Sequence, residues 1–187
     1  MPQLAAFPKC YMDELCVTHS MTVFQWIDLA ASLPVDGVEL YDGFFREFRP
    51  PYLQAIRAAL EEQNLQMPMM CYSPDFTIPD PAARQIQVDK EKRIMEVTAI
   101  LGGKFCRVLS GQRYPGLDRR EGLDRVVACI EQVLPVAAIE VIFLAAPDQW
   151  NIIVVAAKQK LLIGGNERAR QNLIGVAFKI LEMDGVP

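Results

Sequence analysis

The stretch Gly37-Val38-Glu39-Leu40-Tyr41-Asp42 decides the fold, because it has the pattern of a short buried strand that runs into a turn. The strand is predicted over 38–41, with one carboxylate, Glu39, inside it and a second, Asp42, directly after it. A helical pattern leads into this strand. Another begins at Pro50-Pro51, where proline is tolerated in the first turn of a helix.

The same strand-and-helix unit recurs along the chain. Short apolar strands are predicted at 5–12, 38–41, 67–71, 105–109 and 141–145. Their centres are about 30 to 38 residues apart, which is the size of a strand–helix–strand unit. Near-continuous apolar strands between amphipathic helices are typical of a parallel sheet covered by helices. The sequence therefore predicts an α/β fold of parallel βα repeats, and both a barrel and an open sheet satisfy this pattern.

Composition and charge narrow the class of protein. The chain has 187 residues and is expected to form a single domain, residues 1–187, while its net charge of −4 argues against nucleic acid as a partner. No apolar run reaches the ~18 residues that a membrane-spanning helix needs. The first residues lack the pattern of a signal peptide, so a cytoplasmic protein is expected.

The five cysteines follow no metal-binding or disulfide pattern. They are Cys10, Cys16, Cys71, Cys106 and Cys129, an odd number with wide spacing and no C-x-x-C pair. Each lies in an apolar context, which predicts that they are small buried side chains rather than zinc ligands.

The repeat weakens towards the C-terminus. Residues 4–145 follow the βα pattern, whereas 146–187 form a divergent segment with one or two further strand patterns and a helical pattern. A complete (β/α)₈ barrel takes about 250 residues, so this chain is expected to hold five or six units of a partial barrel.

Four stretches carry a family resemblance: Ala6-Phe7-Pro8-Lys9-Cys10-Tyr11-Met12, Asp36-Gly37-Val38-Glu39-Leu40-Tyr41-Asp42, Cys71-Tyr72-Ser73-Pro74-Asp75-Phe76 and Phe105-Cys106-Arg107-Val108-Leu109-Ser110-Gly111-Gln112. Over residues 4–145 the chain resembles the sugar phosphate isomerase/epimerase group, with its xylose isomerase-like TIM barrel. The resemblance implies aldose–ketose isomerisation or epimerisation of a small sugar or sugar phosphate. It also implies a divalent metal (Mn, Mg, Co or Zn) in intact relatives.

The resemblance further implies that the metal ligands come from the later strands, beginning with a glutamate at the end of the fifth. Here that place reads Ala145-Ala146-Pro147-Asp148, and the lone histidine, His19, matches no family ligand. No metal ligand or catalytic residue is therefore assigned, and stable metal binding by this chain is not expected. The sequence is interpreted as a truncated family member with a replaced or frame-shifted C-terminal segment.

The candidate substrate contacts follow from the rule that α/β folds bind ligands at the carboxyl ends of their strands. They are Lys9, Glu39, Asp75, Arg107, Ser110 and Gln112. Lys9 and Arg107 interrupt predicted strands, and because buried cations need partners, either could instead pair with Glu39. Asp75 has the alternative role of a turn residue, and the stretch at 110–112 that of an ordinary loop.

Two further hypotheses belong to other classes of protein. A part-barrel exposes strand edges, which favours a catalytically inactive module that binds a ligand or forms a homodimer through those edges. A flavodoxin-like sheet that binds a nucleotide is the third hypothesis, and the sequence holds no phosphate-loop motif to support it.

Overall fold

The computed structural model describes residues 3–135, 139–145 and 152–158, with side chains over 3–135. The strands are β1 (Ala5–Ala6), β2 (Gly37–Val38), β3 (Leu40–Tyr41), β4 (Met69–Cys71), β5 (Phe105–Val108), β6 (Ile139–Ala145) and β7 (Ile152–Lys158). The helices are α1 (Met12–Cys16), α2 (Val23–Ala31), α3 (Pro50–Glu62), α4 (Pro81–Ile100) and α5 (Arg119–Val133). None of these helices is long and apolar enough to cross a membrane.

The described chain divides into two compact units. The first contains residues up to 71 together with 94–106, and the second contains 72–93 and the described residues from 107 onward. Helix α4 and strand β5 each contribute residues to both units.

Parallel strand pairs organise the first unit. Strand β1 pairs with β2 in the register Ala5↔Gly37, and β3 pairs with β4 in the register Leu40↔Met70. The predicted strand at 38–41 is thus divided at Glu39, whose backbone N–H donates to the carbonyl of Ala6 at 2.9 Å. A Cβ on Gly37 would lie 2.4 Å from the carbonyl oxygen of Gln66, so only glycine fits at this crossing point. The parallel α/β prediction is confirmed here.

Helix α2 begins at a capping box. Thr22 is the N-cap: its hydroxyl accepts the backbone N–H of Gln25 at 3.2 Å, and the Gln25 side chain accepts the N–H of Thr22 at 2.8 Å. This reciprocal pair is a capping box, which satisfies donors that the helix leaves unpaired. The helix then buries Trp26, Ile27 and Ala30.

The first strand is much shorter than predicted. It ends at Ala6, and a 3-10 turn over Lys9–Tyr11 leads directly into α1. Pro8 has no N–H for a strand ladder, and the chain turns there instead, with the N–H of Tyr11 donating to the Pro8 carbonyl at 3.0 Å. Lys9 is exposed, so the prediction of a buried cation in strand one is wrong. Cys10 is exposed as well, against prediction, whereas Cys71, Cys106 and Cys129 are buried as predicted.

The second unit contains an antiparallel pair of strands. Beyond β5 the strand order continues with β7 and then β6. Strands β6 and β7 pair antiparallel, from Ile139↔Lys158 to Ala145↔Ile152, so this pair departs from the parallel repeat. Of the predicted divergent segment 146–187, only 152–158 lies within the described residues.

Candidate functional site

Two loops of the second unit, which follow β4 and β5, meet around one carboxylate. Asp75 Oδ1 accepts the backbone N–H of Thr77 at 3.1 Å and that of Gln112 at 3.2 Å. Asp75 Oδ2 accepts the hydroxyl of Tyr114 at 2.7 Å. We call Asp75, Thr77, Gln112 and Tyr114 the Asp75 clasp. Its hydrogen bonds between the two loops join residues that are 35 to 39 positions apart in the chain.

Thr77 is the buried centre of the clasp. Its hydroxyl accepts the backbone N–H of Gln112 at 2.9 Å. The same hydroxyl lies 2.7 Å from Asp75 Oδ1 and 2.6 Å from the carbonyl oxygen of Gln112, and it donates its single proton to one of them. The backbone of Gln112 is therefore held at both its N–H and its carbonyl.

The clasp keeps Asp75 ionised. Burial by itself raises the pKa of this carboxyl, but the hydrogen bonds from Tyr114, Thr77 and the backbone of Gln112 outweigh burial and hold the pKa below its usual value. The hydrogen bond to Asp75, followed by burial, raises the pKa of Tyr114. A carboxylate with a lowered pKa is a poor proton acceptor near neutral pH, so Asp75 braces the loops and is not suited to act as a general base.

A glycine lets the two loops approach so closely. Gly111 has a φ of +137°, and a Cβ there would lie 2.4 Å from Asp75 Oδ1 and 2.5 Å from Thr77 Oγ1. Neither the backbone conformation nor the available space admits a side chain.

Three of the residues that the sequence predicts as substrate contacts lie in these two loops. Asp75 and Gln112 belong to the clasp itself, and the carbonyl of the buried Ser110 accepts the N–H of Phe76 at 3.0 Å. Gln112 is exposed, and its side-chain amide makes no hydrogen bond within the part of the chain that the structure describes. That amide is therefore free to meet a ligand.

Arg107 lies on β5, in the second unit. Its carbonyl accepts the N–H of Tyr72 at 3.2 Å, which links the residue to the start of the loop after β4. Its Nε is buried and has no hydrogen-bond partner among the described residues. Because a buried donor without a partner is costly, Arg107 is suited to meet an acceptor on a ligand.

Lys9 and Glu39 lie in the first unit. Glu39 is partly buried, and the thiol of Cys71 lies 4.0 Å from its Oε2. Lys9 is exposed and forms no ion pair within residues 3–135, so its predicted alternative role as the partner of Glu39 is wrong.

Sequence reasoning missed Thr77 and Tyr114. The spacing Asp75-Phe76-Thr77 carries a local signal, since an aspartate commonly accepts the backbone N–H two residues later in an Asx turn. Tyr114 has no comparable signal, because its partner is 39 residues away.

The described residues do not supply a metal centre. No group of three His, Cys, Asp or Glu side chains within them lies close enough to hold a metal ion. A hard divalent cation needs several such ligands, so the residues described here do not fit the metal that the resemblance implies.

Comparison with known proteins agrees with the βα architecture. A family model described as a xylose isomerase-like TIM barrel matches residues 27–147, which is more than half of the chain. Among curated proteins, none matches the chain.

Solved structures match at low identity. A 3-keto-D-glucoside 4-epimerase from E. coli is 14% identical, with a TM-score of 0.56 over 74% of this chain and 52% of its own. A D-psicose 3-epimerase from Clostridium cellulolyticum H10, solved with D-tagatose, is 14% identical, with a TM-score of 0.53 over 60% of this chain and 42% of its own. A probable 3-DHS dehydratase from Bacillus anthracis is 12% identical, with a TM-score of 0.51 over 72% of this chain and 49% of its own. The chain thus spans about half the length of these structures, and the likeness concerns the fold.

Proposed function

Since the chain belongs to the xylose isomerase-like TIM barrel family, we propose that it binds a small sugar or sugar phosphate at the loops after β4 and β5, as part of an isomerase or epimerase. Two relatives of this fold carry the name of sugar epimerases, which supports a sugar as the ligand. The activity in question moves a proton on the carbon next to a carbonyl.

The observation that carries the proposal is the state of Gln112. Thr77 and Asp75 hold its backbone on both sides, while its side-chain amide is exposed and makes no hydrogen bond within the described residues. An amide has both donors and an acceptor, which matches a sugar hydroxyl. A fixed backbone lowers the entropy that the side chain loses on binding.

Arg107 supplies the second contact of the proposed site. A guanidinium with a buried, unpaired Nε suits a phosphate or a ring oxygen of the ligand, because either would satisfy that donor. Ser110 anchors the loop between Arg107 and Gln112 through its carbonyl. Lys9 and Glu39 lie in the first unit, and their roles as substrate contacts stay predictions.

The chemistry of the proposed reaction is proton transfer. A base removes the proton from the carbon beside the carbonyl, an enediolate forms, and the proton returns to the neighbouring carbon in isomerisation or to the other face in epimerisation. Members of this family typically depend on a divalent metal, which stabilises such a developing oxyanion when bound. Asp75 does not serve as the base, because the clasp occupies its carboxylate.

Deuterium uptake reports this reaction whichever product forms. The chain is incubated in D₂O with D-fructose or D-fructose 6-phosphate, with and without Mn²⁺, and the carbons next to the carbonyl are followed by NMR. We expect deuterium at C1 or C3 of one of the two sugars. Absence of deuterium together with absence of binding heat in calorimetry overturns the proposal.

A binding module without catalysis is the second candidate, and the lack of a three-ligand cluster among the described residues favours it. It predicts binding heat with either sugar but no deuterium uptake. Self-association through strand edges belongs to the same hypothesis. Sedimentation velocity measures it, and a stable monomer at all concentrations contradicts the self-associating form.

A further inference from the structure

Two arginines on different helices of the second unit hold three consecutive backbone carbonyls of the loop after β4. Arg125, on α5, donates from Nη1 to the carbonyl of Thr77 at 3.0 Å. Arg84, on α4, donates from Nη1 to the carbonyl of Ile78 and, at 3.2 Å, to that of Pro79. A loop whose backbone groups are fixed by charged donors is held more firmly than one that bonds to water.

The side chain of Arg125 is also held by a residue of its own helix. Its Nη2 pairs with Glu121 one turn earlier on α5, and its side chain is 20% exposed. The N-terminus of that helix is capped by Asp118, whose side chain accepts the backbone N–H of Arg120 at 2.9 Å. The guanidinium thus presents Nη1 from a capped helix.

The residue that Arg125 holds is the centre of the Asp75 clasp. Thr77 contacts Asp75 and both backbone groups of Gln112. A shift of the Thr77 backbone would therefore move Gln112, although no hydrogen bond joins Arg125 to Gln112 within the described residues. From these contacts we infer that Arg125 is a positioning residue for the ligand site: it sets the place of Gln112 through Thr77, and Arg84 secures the two residues that follow. This inference rests on the proposed function.

Arg57 provides a matched control. In the first unit it also pairs with a glutamate one turn away, Glu61 at 2.8 Å, and also donates from Nη1 to a backbone carbonyl, that of Ile100 at 3.0 Å. The carbonyl in this case lies at the end of α4 and belongs to no residue of the clasp. Arg57→Gln and Arg125→Gln thus remove the same kinds of contact, and only the second loosens the proposed site.

The first readout requires no ligand. Hydrogen exchange of the Gln112 amide, which donates to Thr77 and Asp75, is measured by mass spectrometry on a peptide spanning 109–115. We expect exchange about tenfold faster in Arg125→Gln, unchanged in Arg57→Gln and partly restored in Arg125→Lys, which keeps a charged donor. Equal exchange in Arg125→Gln and the wild type overturns the inference.

The second readout is the dissociation constant of D-fructose 6-phosphate, measured by calorimetry. We expect a loss on the order of tenfold for Arg125→Gln and none for Arg57→Gln, since misplaced contacts lose much of their value. If the wild type binds no sugar, the proposed function fails, while the exchange measurement still decides whether Arg125 positions Gln112. If Arg125→Gln does not fold, Arg125→Lys takes its place in both measurements.

Discussion

Gly111 is the position at which a single added methyl group would test the Asp75 clasp. The Cβ of Gly111→Ala would lie 2.4 Å from Asp75 Oδ1 at a φ of +137°. We expect the free energy of unfolding to fall by about 2–3 kcal/mol, because strain and collision with the carboxylate act together. Urea denaturation measures the loss.

Gly116→Ala is the control for this prediction. Gly116 has a φ of +76°, and apart from Gly116 and its two chain neighbours no heavy atom of the described residues lies within 4 Å of the position that a Cβ would take there. Alanine at this position introduces backbone strain but no collision, so we expect the free energy of unfolding to fall by about 1 kcal/mol. Equal losses at the two glycines would contradict a close contact between Gly111 and the clasp.

Asp75 makes the clasp sensitive to acid. Its pKa is lower in the folded chain than its usual value, so its ionised form stabilises the fold above that usual value, and the stabilisation is lost as pH falls through the folded pKa. We expect Asp75→Asn to be less stable than the wild type by about 1–2 kcal/mol at pH 7, with the difference shrinking below about pH 4. Urea midpoints between pH 7 and pH 3 give this dependence.

Asp89→Asn is the control, and as a surface substitution it should change the free energy of unfolding at pH 7 by less than about 0.5 kcal/mol. Asp89 is exposed, and among the described residues it accepts only the side chain of Gln85, at 3.0 Å. A gap between Asp75→Asn and the wild type that stays constant from pH 7 to pH 3 would argue against an ionised carboxylate in the clasp.

The sequence alone predicts that these residues follow strands, but it does not predict the role of each residue. Asp75, Ser110 and Gln112 are predictable because polar side chains after parallel strands meet at one edge of a sheet. The division of labour between a bracing Asp75 and a free Gln112 could not be predicted. It depends on hydrogen bonds between residues 35 to 39 positions apart, which leave no periodic signal.

Among the helices, α2 gives the sharpest prediction. Its capping box joins Thr22 to Gln25, and Thr22→Ala removes the hydroxyl that accepts the Gln25 N–H. We expect the free energy of unfolding to fall by about 1 kcal/mol. Thermal denaturation followed by circular dichroism measures the change.

Ser20→Ala is the control for the Thr22 cap of α2. Ser20 is exposed and hydrogen-bonds only to Thr18 among the described residues, so the loss of its hydroxyl should cost less than about 0.5 kcal/mol. A larger effect at Ser20 than at Thr22 would place the start of the helix elsewhere.

The strands show where periodic patterns stop being informative. The run at 5–12 is apolar enough for a strand, but Pro8 and the turn over Lys9–Tyr11 end it after two residues. The sequence pattern indicates a fifth and a sixth strand, which correspond to β6 and β7. It does not indicate that these two strands pair antiparallel. A short apolar run has the same pattern whether its strand pairs parallel or antiparallel. The connection between two strands decides how they pair.

For the whole molecule, the recurrence of strand and helix is the most informative feature. It predicts the parallel α/β order that β1 to β4 adopt, and with the four motifs it leads to the xylose isomerase-like TIM barrel family. The activity of the chain does not follow from this recurrence or from the four motifs. The chain spans about half the length of the solved structures it matches, and a barrel enzyme draws its site from several strands.

Sugar binding at the loops after β4 and β5 is tested by the affinity of the chain for D-fructose 6-phosphate, measured by calorimetry for the wild type, Gln112→Ala and Gln85→Ala. Gln112 presents a free amide from the clasp, whereas Gln85 is an exposed glutamine on α4 that bonds to Asp89. We predict that the wild type binds the sugar, that Gln112→Ala binds about three- to tenfold more weakly, as the loss of one hydrogen bond implies, and that Gln85→Ala binds like the wild type. Absence of binding to the wild type, or equal affinity in all three proteins, would contradict a sugar site at these loops.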